Sequence, residues 1–330
     1  MNMSIGKIRG LQHISTADGV FSICAADHRG SLKTLIEKEQ GKKVGHQDIV
    51  DFKLELCYAL APYSSAFLFD PIYGAAHCIA GNVLPSDTGL LVSIEESGYQ
   101  SDPGGRITNL LKDWSVEKIK RMGGSAVKIL IYYRPDLTEV ASRQLKTIKM
   151  LSEECIKHDI PFLVEPVSYP VKEEKDDRLQ FSIKKPALVI ETAGQITALP
   201  IDVLKSEFPV DMSYETDREK VLSICQELNE ASRLPWVLLS AGVDYEMFRE
   251  QVEIACKAGA SGFLGGRAIW QEMAKYADKN DRTKFLNTTV VQRFKELADI
   301  ASKYAVPWYR KLGLQSNELA IIPENWYEAY

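Results

Sequence analysis

The chain alternates short apolar runs with segments of helical periodicity, and this alternation limits the folds open to it more than any other feature. Eight runs read as strands, most of them almost continuously apolar. Such runs are typical of a parallel sheet that is covered on both faces. The predicted strands are Phe21–Ala26, Ala66–Phe69, Leu90–Ile94, Ala126–Tyr132, Pro161–Val164, a sixth within Ile201–Val210 that begins at Asp202, Trp236–Leu239 and Gly262–Leu264.

Between these strands, apolar residues recur at helical spacing. The predicted helices are Gln47–Leu60, Asp113–Met122, Leu137–His158, Asp217–Ser232, Tyr245–Ala258 and Arg293–Tyr304. Eight strands in about 250 residues favour a closed (β/α)₈ TIM barrel of the α/β class over an open doubly wound sheet. An open sheet that binds a dinucleotide would carry G-x-G-x-x-G after its first strand, where this chain has Asp27-His28-Arg29-Gly30.

The boundaries of the domain follow from the same pattern. No low-complexity linker and no repeat of 20 to 50 residues is visible in the 330 residues. We predict one barrel domain over residues 1–330, with an extra N-terminal segment, 1–20, and a C-terminal helical tail from about 275 to 330. The tail is rich in aromatic residues, which suits packing of a last helix on the barrel or a contact between subunits.

Charge and hydropathy exclude some classes of partner. A formal net charge of -5, with scattered basic residues, argues against binding to nucleic acid or to an acidic membrane surface. No apolar run approaches the roughly 20 residues that span a bilayer, and the N-terminus lacks the apolar core of a secretory signal. We therefore expect a cytoplasmic protein without nucleic-acid or membrane partners.

Cysteine and histidine spacing gives no sign of a metal site. The six cysteines are widely separated and form no C-x-x-C pair, so they read as reduced core thiols. Of the five histidines, only His28 falls at the end of a predicted strand. A divalent-metal site at the mouth of the barrel would need a cluster of His and carboxylate ligands. We expect neither a metal nor a cofactor.

Polar residues gather where the predicted strands end. In a barrel of this kind, the carboxyl ends of the strands form the working face. Charged groups on at least six of eight strand ends are hard to explain by packing, and they predict an active site at the mouth. The polar residues at or near the strand ends are Asp27, Arg29, Asp70, Lys128, Glu165, Lys205, Glu207, Ser240 and Arg267.

Two lysines inside predicted strands suggest the chemistry. A buried ammonium costs several kcal/mol unless it is paired or loses its proton. Lys128 and Lys205 lie two strands apart, and a second ammonium nearby favours a free amine that could attack a carbonyl and form a Schiff base. Glu165, on the strand between them, is placed to shuttle protons. The alternatives are that Lys205 reaches solvent from a strand edge and that Lys128 forms a structural ion pair with Asp27 or Glu165.

Small residues after the last two strands suggest an anion site. Ser240-Ala241-Gly242 and Gly265-Gly266-Arg267 would let backbone N–H groups approach a phosphate, which this fold commonly binds after its seventh and eighth strands. The Arg267 guanidinium would add a fork of donors. Arg29 could hold a second anionic group at the far end of a substrate, or simply pair with Asp27.

With these residues in view, the chain resembles the tagatose 1,6-bisphosphate aldolase family of class I aldolases. The likeness covers residues from about 20 to 275. The motifs that carry it are Ala26-Asp27-His28-Arg29-Gly30, Phe69-Asp70-Pro71-Ile72-Tyr73-Gly74, Ala126-Val127-Lys128, Ile201-Asp202-Val203-Leu204-Lys205, Leu239-Ser240-Ala241-Gly242-Val243 and Gly266-Arg267-Ala268-Ile269-Trp270.

The resemblance implies roles for individual residues. Lys205 would be the Schiff-base lysine and Glu165 the proton shuttle, with Lys128 and Asp27 as their polar neighbours. The family usually has glutamine where this chain has His28. The substrate contacts implied by the resemblance and by the strand ends are Arg29, His28, Asp70, Ser240, Gly242, Gly265, Gly266 and Arg267.

The implied reaction is cleavage of a ketose phosphate, first of all tagatose 1,6-bisphosphate, to dihydroxyacetone phosphate and glyceraldehyde 3-phosphate. One alternative is the related sulfofructose-1-phosphate aldolase, which would give dihydroxyacetone phosphate and sulfolactaldehyde. The other is a barrel that senses a sugar phosphate without turning it over. We expect a small sugar phosphate as the partner, and a homo-oligomer.

Overall fold

The eight apolar runs form a closed, parallel barrel. The computed structural model describes residues 3–102, 104–328 and 330. Neighbouring strands pair in the order β1-β8-β7-β6-β5-β4-β3-β2, which closes on itself and confirms the predicted (β/α)₈ fold. The strands are β1 (Phe21–Ala26), β2 (Ala66–Phe69), β3 (Gly89–Ser93), β4 (Ala126–Tyr132), β5 (Phe162–Val167), β6 (Val203–Ser206), β7 (Trp236–Leu239) and β8 (Gly262–Gly265).

Helices cover the outside of the barrel and one of its ends. Several begin at a side-chain cap, as at Ser115, Asp217 and Asp244, whose oxygens accept backbone N–H groups of the first turn. The helices are α1 (Ile5–Ile14), α2 (Gly30–Gln40), α3 (His46–Leu60), α4 (Ala75–Ala80), α5 (Val116–Arg121), α6 (Thr138–Lys157), α7 (Arg178–Ile196), α8 (Arg218–Ala231), α9 (Tyr245–Lys257), α10 (Arg267–Trp270), α11 (Lys279–Phe285), α12 (Val291–Tyr304) and α13 (Trp308–Lys311).

Strand alternation separates two cores. Side chains that point outward from the strands pack against the surrounding helices in one large cluster. Those that point inward form a second cluster in the barrel, which includes Ala126, Leu163 and Val203 near the starts of β4, β5 and β6. Because successive side chains point to opposite faces, the residues two positions further along these strands also point inward. Those residues are Lys128, Glu165 and Lys205.

Helix α1 and Trp308 close the end of the barrel where the strands begin. Leu11 and Ile14 of α1 belong to the inner cluster, as does the buried Trp308. At Gly10 a Cβ atom would lie 2.5 Å from the Pro161 ring and 2.6 Å from the Ser125 carbonyl oxygen, so this close approach needs glycine. An ion pair of 2.8 Å between Lys7 and Asp202 fastens α1 to the start of β6.

Three segments differ from the sequence prediction. Residues 172–200, for which no element was predicted, contain α7, whose apolar periodicity is interrupted by an internal proline, Pro186, and preceded by a charged run. The predicted fifth strand, Pro161–Val164, begins at Phe162 and continues to Val167, so Glu165 lies within the strand rather than beyond it. The sixth strand, predicted to begin at Asp202, is limited to Val203–Ser206, and the chain bends at Pro209.

The C-terminal tail is partly packed and partly exposed. Trp308 is buried, whereas Trp326, Tyr327 and Tyr330 are exposed in the isolated chain. Contact between subunits through these rings stays a prediction. Among the described residues, no helix is long and apolar enough to cross a membrane.

Candidate active site

Two lysines and three carboxylates meet at the mouth of the barrel. Lys128 Nζ lies 2.7 Å from Asp27 Oδ2 and 2.7 Å from Glu95 Oε1, and both contacts are hydrogen bonds. Its third carboxylate contact is Glu165 Oε2 at 2.9 Å, an electrostatic contact outside hydrogen-bonding geometry. The other oxygen, Glu165 Oε1, lies 2.8 Å from Lys205 Nζ. Glu165 therefore bridges the two lysines with one oxygen each.

The charges in this cluster reinforce one another. Burial would lower the pKa of the Lys128 ammonium, but Asp27, Glu165 and Glu95 outweigh it and raise this pKa well above its ordinary value. Burial also opposes ionisation of Asp27, yet Lys128 and Lys205 hold the pKa of its carboxyl far below the usual range. The pKa of Glu165 is lowered against burial by the same two lysines. Lys128 is thus a fixed cation between fixed anions.

Lys205 reaches a cavity, and Lys128 does not. A cavity of ≈ 250 Å³ opens at the mouth, with Lys205, Glu165 and Asp27 in its wall. Lys128, whose side chain is only 1% exposed, is not among the described lining residues. Lys128 is therefore ion-paired with Asp27 and Glu165, as the alternative prediction had it. Lys205 is the lysine that a ligand in this cavity would contact. Lys205 does not extend from a strand edge into solvent, since it is 4% exposed.

One corner of the cavity is built from the loops after β7 and β8. Gly242, with φ of 75°, passes so close to Arg267 that a Cβ atom there would lie 3.2 Å from the Arg267 Nη2 atom. The Ser240 hydroxyl accepts the Gly266 N–H at 3.3 Å. The buried Arg267 Nε has no hydrogen-bond partner among the described residues. An unpartnered guanidinium donor beside a glycine turn suits an anion.

His28 lies between this cavity and a second one, which Arg29 also lines. The His28 ring meets Trp270 edge-on, with 5.3 Å between ring centroids. The second cavity, of ≈ 370 Å³, is lined by both residues and by Asp27. Arg29 does not pair with Asp27 among the described contacts; its Nη2 donates to the Glu95 carbonyl oxygen at 2.6 Å.

The environment of His28 predicts a pH effect on stability. Burial, with Arg267, Lys205 and Lys53, outweighs Asp27 and lowers the pKa of the imidazole to about 3. In the unfolded chain this pKa returns to about 6.5. The folded-state pKa is the lower one, so the stabilisation from neutral His28 is complete above about pH 6.5 and is lost as the pH falls towards 3.

We expect His28→Gln, which cannot titrate, to flatten the dependence of Tm on pH between about pH 7 and pH 4. Thermal unfolding followed by circular dichroism at half-unit steps of pH measures this slope. The exposed His46→Gln variant is the matched control. A slope in His28→Gln equal to that of the unchanged protein would show that the buried imidazole accepts a proton freely in the folded chain.

Three of the predicted substrate contacts are not among the described residues that line the cavity with Lys205: Arg29, which lines only the second cavity, Asp70 and Gly265. Asp70 is fully buried, pairs with Lys53 and accepts the N–H groups of Ile72 and Tyr73 at 2.8 Å each. These contacts hold the turn after β2. A Cβ atom on Gly265 would meet Ile269 and Phe248 on the helix side of β8. The strand alternation that places Leu264 inside the barrel sends Gly265 outward.

The structure adds one carboxylate, Glu95, that the sequence prediction did not assign to the site, and it gives contacts for Glu207, which was predicted only as a strand-end residue. Glu95 is buried just beyond β3 and bonds Lys128. Glu207 lines the ≈ 250 Å³ cavity, and its Oε2 accepts the Ser168 N–H at 2.7 Å. Both carboxylates lie just beyond a strand, and this position is the signal in the sequence that points to each of them. Glu95 stands beside a second glutamate, Glu96, which is exposed, and sequence alone does not tell the two apart.

A parallel barrel with a cavity lysine, a carboxylate bridging it to a second lysine and an anion corner defines a site of the aldolase type. A model described as "DeoC/LacD family aldolase" matches residues 21–272. The chain belongs to this family. The predictions of an aldolase family and of an enzyme of the lyase class are thereby confirmed.

Relatives from several bacteria match almost the whole chain. A protein of Listeria monocytogenes named tagatose 1,6-diphosphate aldolase is 34% identical over 93% of this chain and 95% of its own length. The tagatose 1,6-diphosphate aldolase of Streptococcus agalactiae is 34% identical over 93% of this chain and 99% of its own length. Tagatose 1,6-diphosphate aldolase 2 of Enterococcus faecalis is 33% identical, covering 96% and 99%.

Solved structures support the fold. An archaeal fructose 1,6-bisphosphate aldolase superposes with a TM-score of 0.61 at 19% identity, over 89% of this chain and 98% of that chain. The fructose-bisphosphate aldolase of Plasmodium falciparum has a TM-score of 0.70 at 11% identity, over 93% and 98%. At these identities the likeness supports the barrel architecture alone.

Proposed function

We propose that the protein is a class I aldolase that cleaves tagatose 1,6-bisphosphate between C3 and C4. The observation that carries the proposal is the 2.8 Å contact between Lys205 Nζ and Glu165 Oε1 in the wall of the cavity. It joins an amine that can attack a ketone to a carboxylate that can take up its proton. The substrate is assigned from the relatives that bear its name.

The reaction begins at the keto carbon. Lys205 gives a proton to Glu165 and attacks C2, forming a carbinolamine, whose hydroxyl then leaves as water when Glu165 returns a proton. The resulting iminium is positive, and the ionised Asp27 and Glu165 stabilise it. Lys128 keeps both carboxylates ionised, as their lowered pKa values indicate.

Cleavage uses the iminium as an electron sink. Glu165 removes the proton of the C4 hydroxyl, the C3–C4 bond breaks, and its electron pair forms an enamine on the Lys205 adduct. Glyceraldehyde 3-phosphate leaves, C3 takes up a proton, and one water hydrolyses the iminium to release dihydroxyacetone phosphate. The water released at the start and the water consumed at the end balance. The C1 phosphate would bind at the corner formed by Gly242, Gly266 and Arg267.

Covalent trapping tests the mechanism. Incubation with dihydroxyacetone phosphate and sodium borohydride should add one reduced triose phosphate to each chain, seen by intact mass spectrometry and mapped to Lys205 by peptide analysis. The same experiment without borohydride is the control. An unchanged mass, or an adduct mapped to another lysine, contradicts the proposal.

Turnover of two substrates tests the specificity. We expect kcat/KM for tagatose 1,6-bisphosphate to exceed that for 6-sulfofructose 1-phosphate, measured with coupled detection of dihydroxyacetone phosphate. The reverse order would assign the chain to the sulfosugar reaction, with the same Schiff-base chemistry. Turnover of neither substrate, with no adduct, would leave the sugar-phosphate sensor as the remaining function.

A further inference from the structure

Glu95 is a buried carboxylate that the proposed reaction does not use. It is 5% exposed, and it is not among the described residues that line the cavity with Lys205. Its backbone is held on two sides, because it bridges to Leu110 and its carbonyl oxygen accepts the Arg29 guanidinium at 2.6 Å. Its side chain therefore points at Lys128 from a fixed position. A buried charge in such a place needs a reason.

The contacts of Lys128 suggest that reason. Lys128 donates its two hydrogen bonds to Asp27 and Glu95. Its contact with Glu165 Oε2 lies outside hydrogen-bonding geometry. Glu95 thus holds the ammonium in an orientation that does not direct a hydrogen bond to Glu165. The Oε1 atom of Glu165 remains paired with Lys205, the lysine in the cavity wall.

We infer that Glu95 is a positioning residue that divides the roles of the two lysines, an inference that rests on the proposed function. It keeps Lys128 as the buried cation and leaves Glu165 available to exchange protons with Lys205. Without the negative charge of Glu95, Lys128 would turn its donors towards Glu165. Glu165 would then be a poorer proton acceptor for Lys205.

Two variants separate charge from shape. Glu95→Gln keeps the size of the side chain and an acceptor oxygen but removes the charge, whereas Glu95→Asp keeps the charge on a shorter side chain. If charge is what Glu95 supplies, Glu95→Gln should lower kcat by about tenfold, which corresponds to a change of roughly one pKa unit in proton affinity. Glu95→Asp should retain more activity than Glu95→Gln, and KM should stay within about threefold in both.

The pH profile gives a readout that a purely structural role would not move. If Lys128 turns its donors towards Glu165, the pKa of Glu165 should fall further, so the acidic limb of kcat against pH should move to lower pH in Glu95→Gln and not in Glu95→Asp. The exposed Glu117→Gln carries the same change in net charge and serves as the control. Thermal unfolding of each variant confirms that the assays use folded protein.

The outcomes separate this inference from the proposed function. If the unchanged protein and Glu95→Gln both form the borohydride adduct on Lys205, and Glu95→Gln is slower with its acidic limb moved to lower pH, the inference stands. An adduct in both with unchanged kcat in Glu95→Gln overturns the role of Glu95 alone. Higher activity in Glu95→Gln than in Glu95→Asp also overturns the role of Glu95 alone. Absence of the adduct in the unchanged protein removes the proposed function and this inference together.

Discussion

Lys205→Ala is expected to lower kcat/KM for tagatose 1,6-bisphosphate by about 10⁴-fold or more and to abolish the borohydride adduct. Removing the attacking group of a covalent mechanism costs nearly all of its rate enhancement, because the remaining residues have no intermediate to act on. The side chain is buried beside Glu165 and forms part of the cavity wall. Single-turnover assays and intact mass spectrometry measure the two effects.

The second buried lysine provides the decisive comparison. Lys128→Met removes an ammonium of the same cluster, yet Lys128 does not line the cavity among the described residues. We expect this variant to be slow, since its three carboxylates lose their cation, but to form an adduct on Lys205. The exposed Lys220→Ala should react as the unchanged protein does. An adduct retained in Lys205→Ala and lost in Lys128→Met would make Lys128 the nucleophile instead.

Glu165→Gln should be the second most damaging change, with a loss in kcat of about 10²- to 10⁴-fold, the range for a general acid–base group. The amide cannot accept the proton of Lys205 or of the C4 hydroxyl. Because substrate binding uses other groups, KM should change far less than kcat. Initial rates over a range of substrate concentrations separate the two constants.

Protein stability must be followed in the same variant. Glu165 is the carboxylate within 2.8 Å of Lys205, so its removal leaves a buried ammonium without that partner. Breaking a buried ion pair in this way costs about 3–5 kcal/mol, and Tm should fall. Assays well below the lowered Tm keep the two effects apart. Glu154→Gln, at a half-exposed carboxylate of the surface, is the control. A kcat within about threefold of the unchanged protein would assign the proton transfers to another group.

The sequence allowed the barrel and the inward lysines to be predicted because both depend on local pattern. Continuous apolar strands indicate a covered parallel sheet, and a lysine inside such a strand must face the interior or the helices. Lys128 and Lys205 both lie two residues after an inward apolar residue, Ala126 and Val203. The period of two along the strand therefore predicts that each lysine shares a face with that residue.

The contacts across the mouth were beyond sequence reasoning, since they depend on loop geometry. Asp70 follows a strand as Asp27 does, yet it turns down to Lys53 on α3, a partner 17 positions earlier in the chain. Glu95 and Glu96 are adjacent and chemically identical, yet Glu95, which bridges to Leu110 and contacts Lys128, is buried, whereas Glu96 is exposed. Strand ends predict which residues are near the site, and the loops decide which of them reach it.

The packing of α1 places its first turn beside Tyr330, on the side of the molecule opposite the mouth. The Gly6 N–H donates to the hydroxyl of Tyr330, the last residue, at 3.0 Å, and α1 lies across the strand starts, opposite the mouth. A short peptide linker could therefore join Tyr330 to the segment before α1, with new chain ends opened in an exposed outer loop. Such a circular permutant, or an enzyme tethered to a surface through this side, would leave substrate access unobstructed.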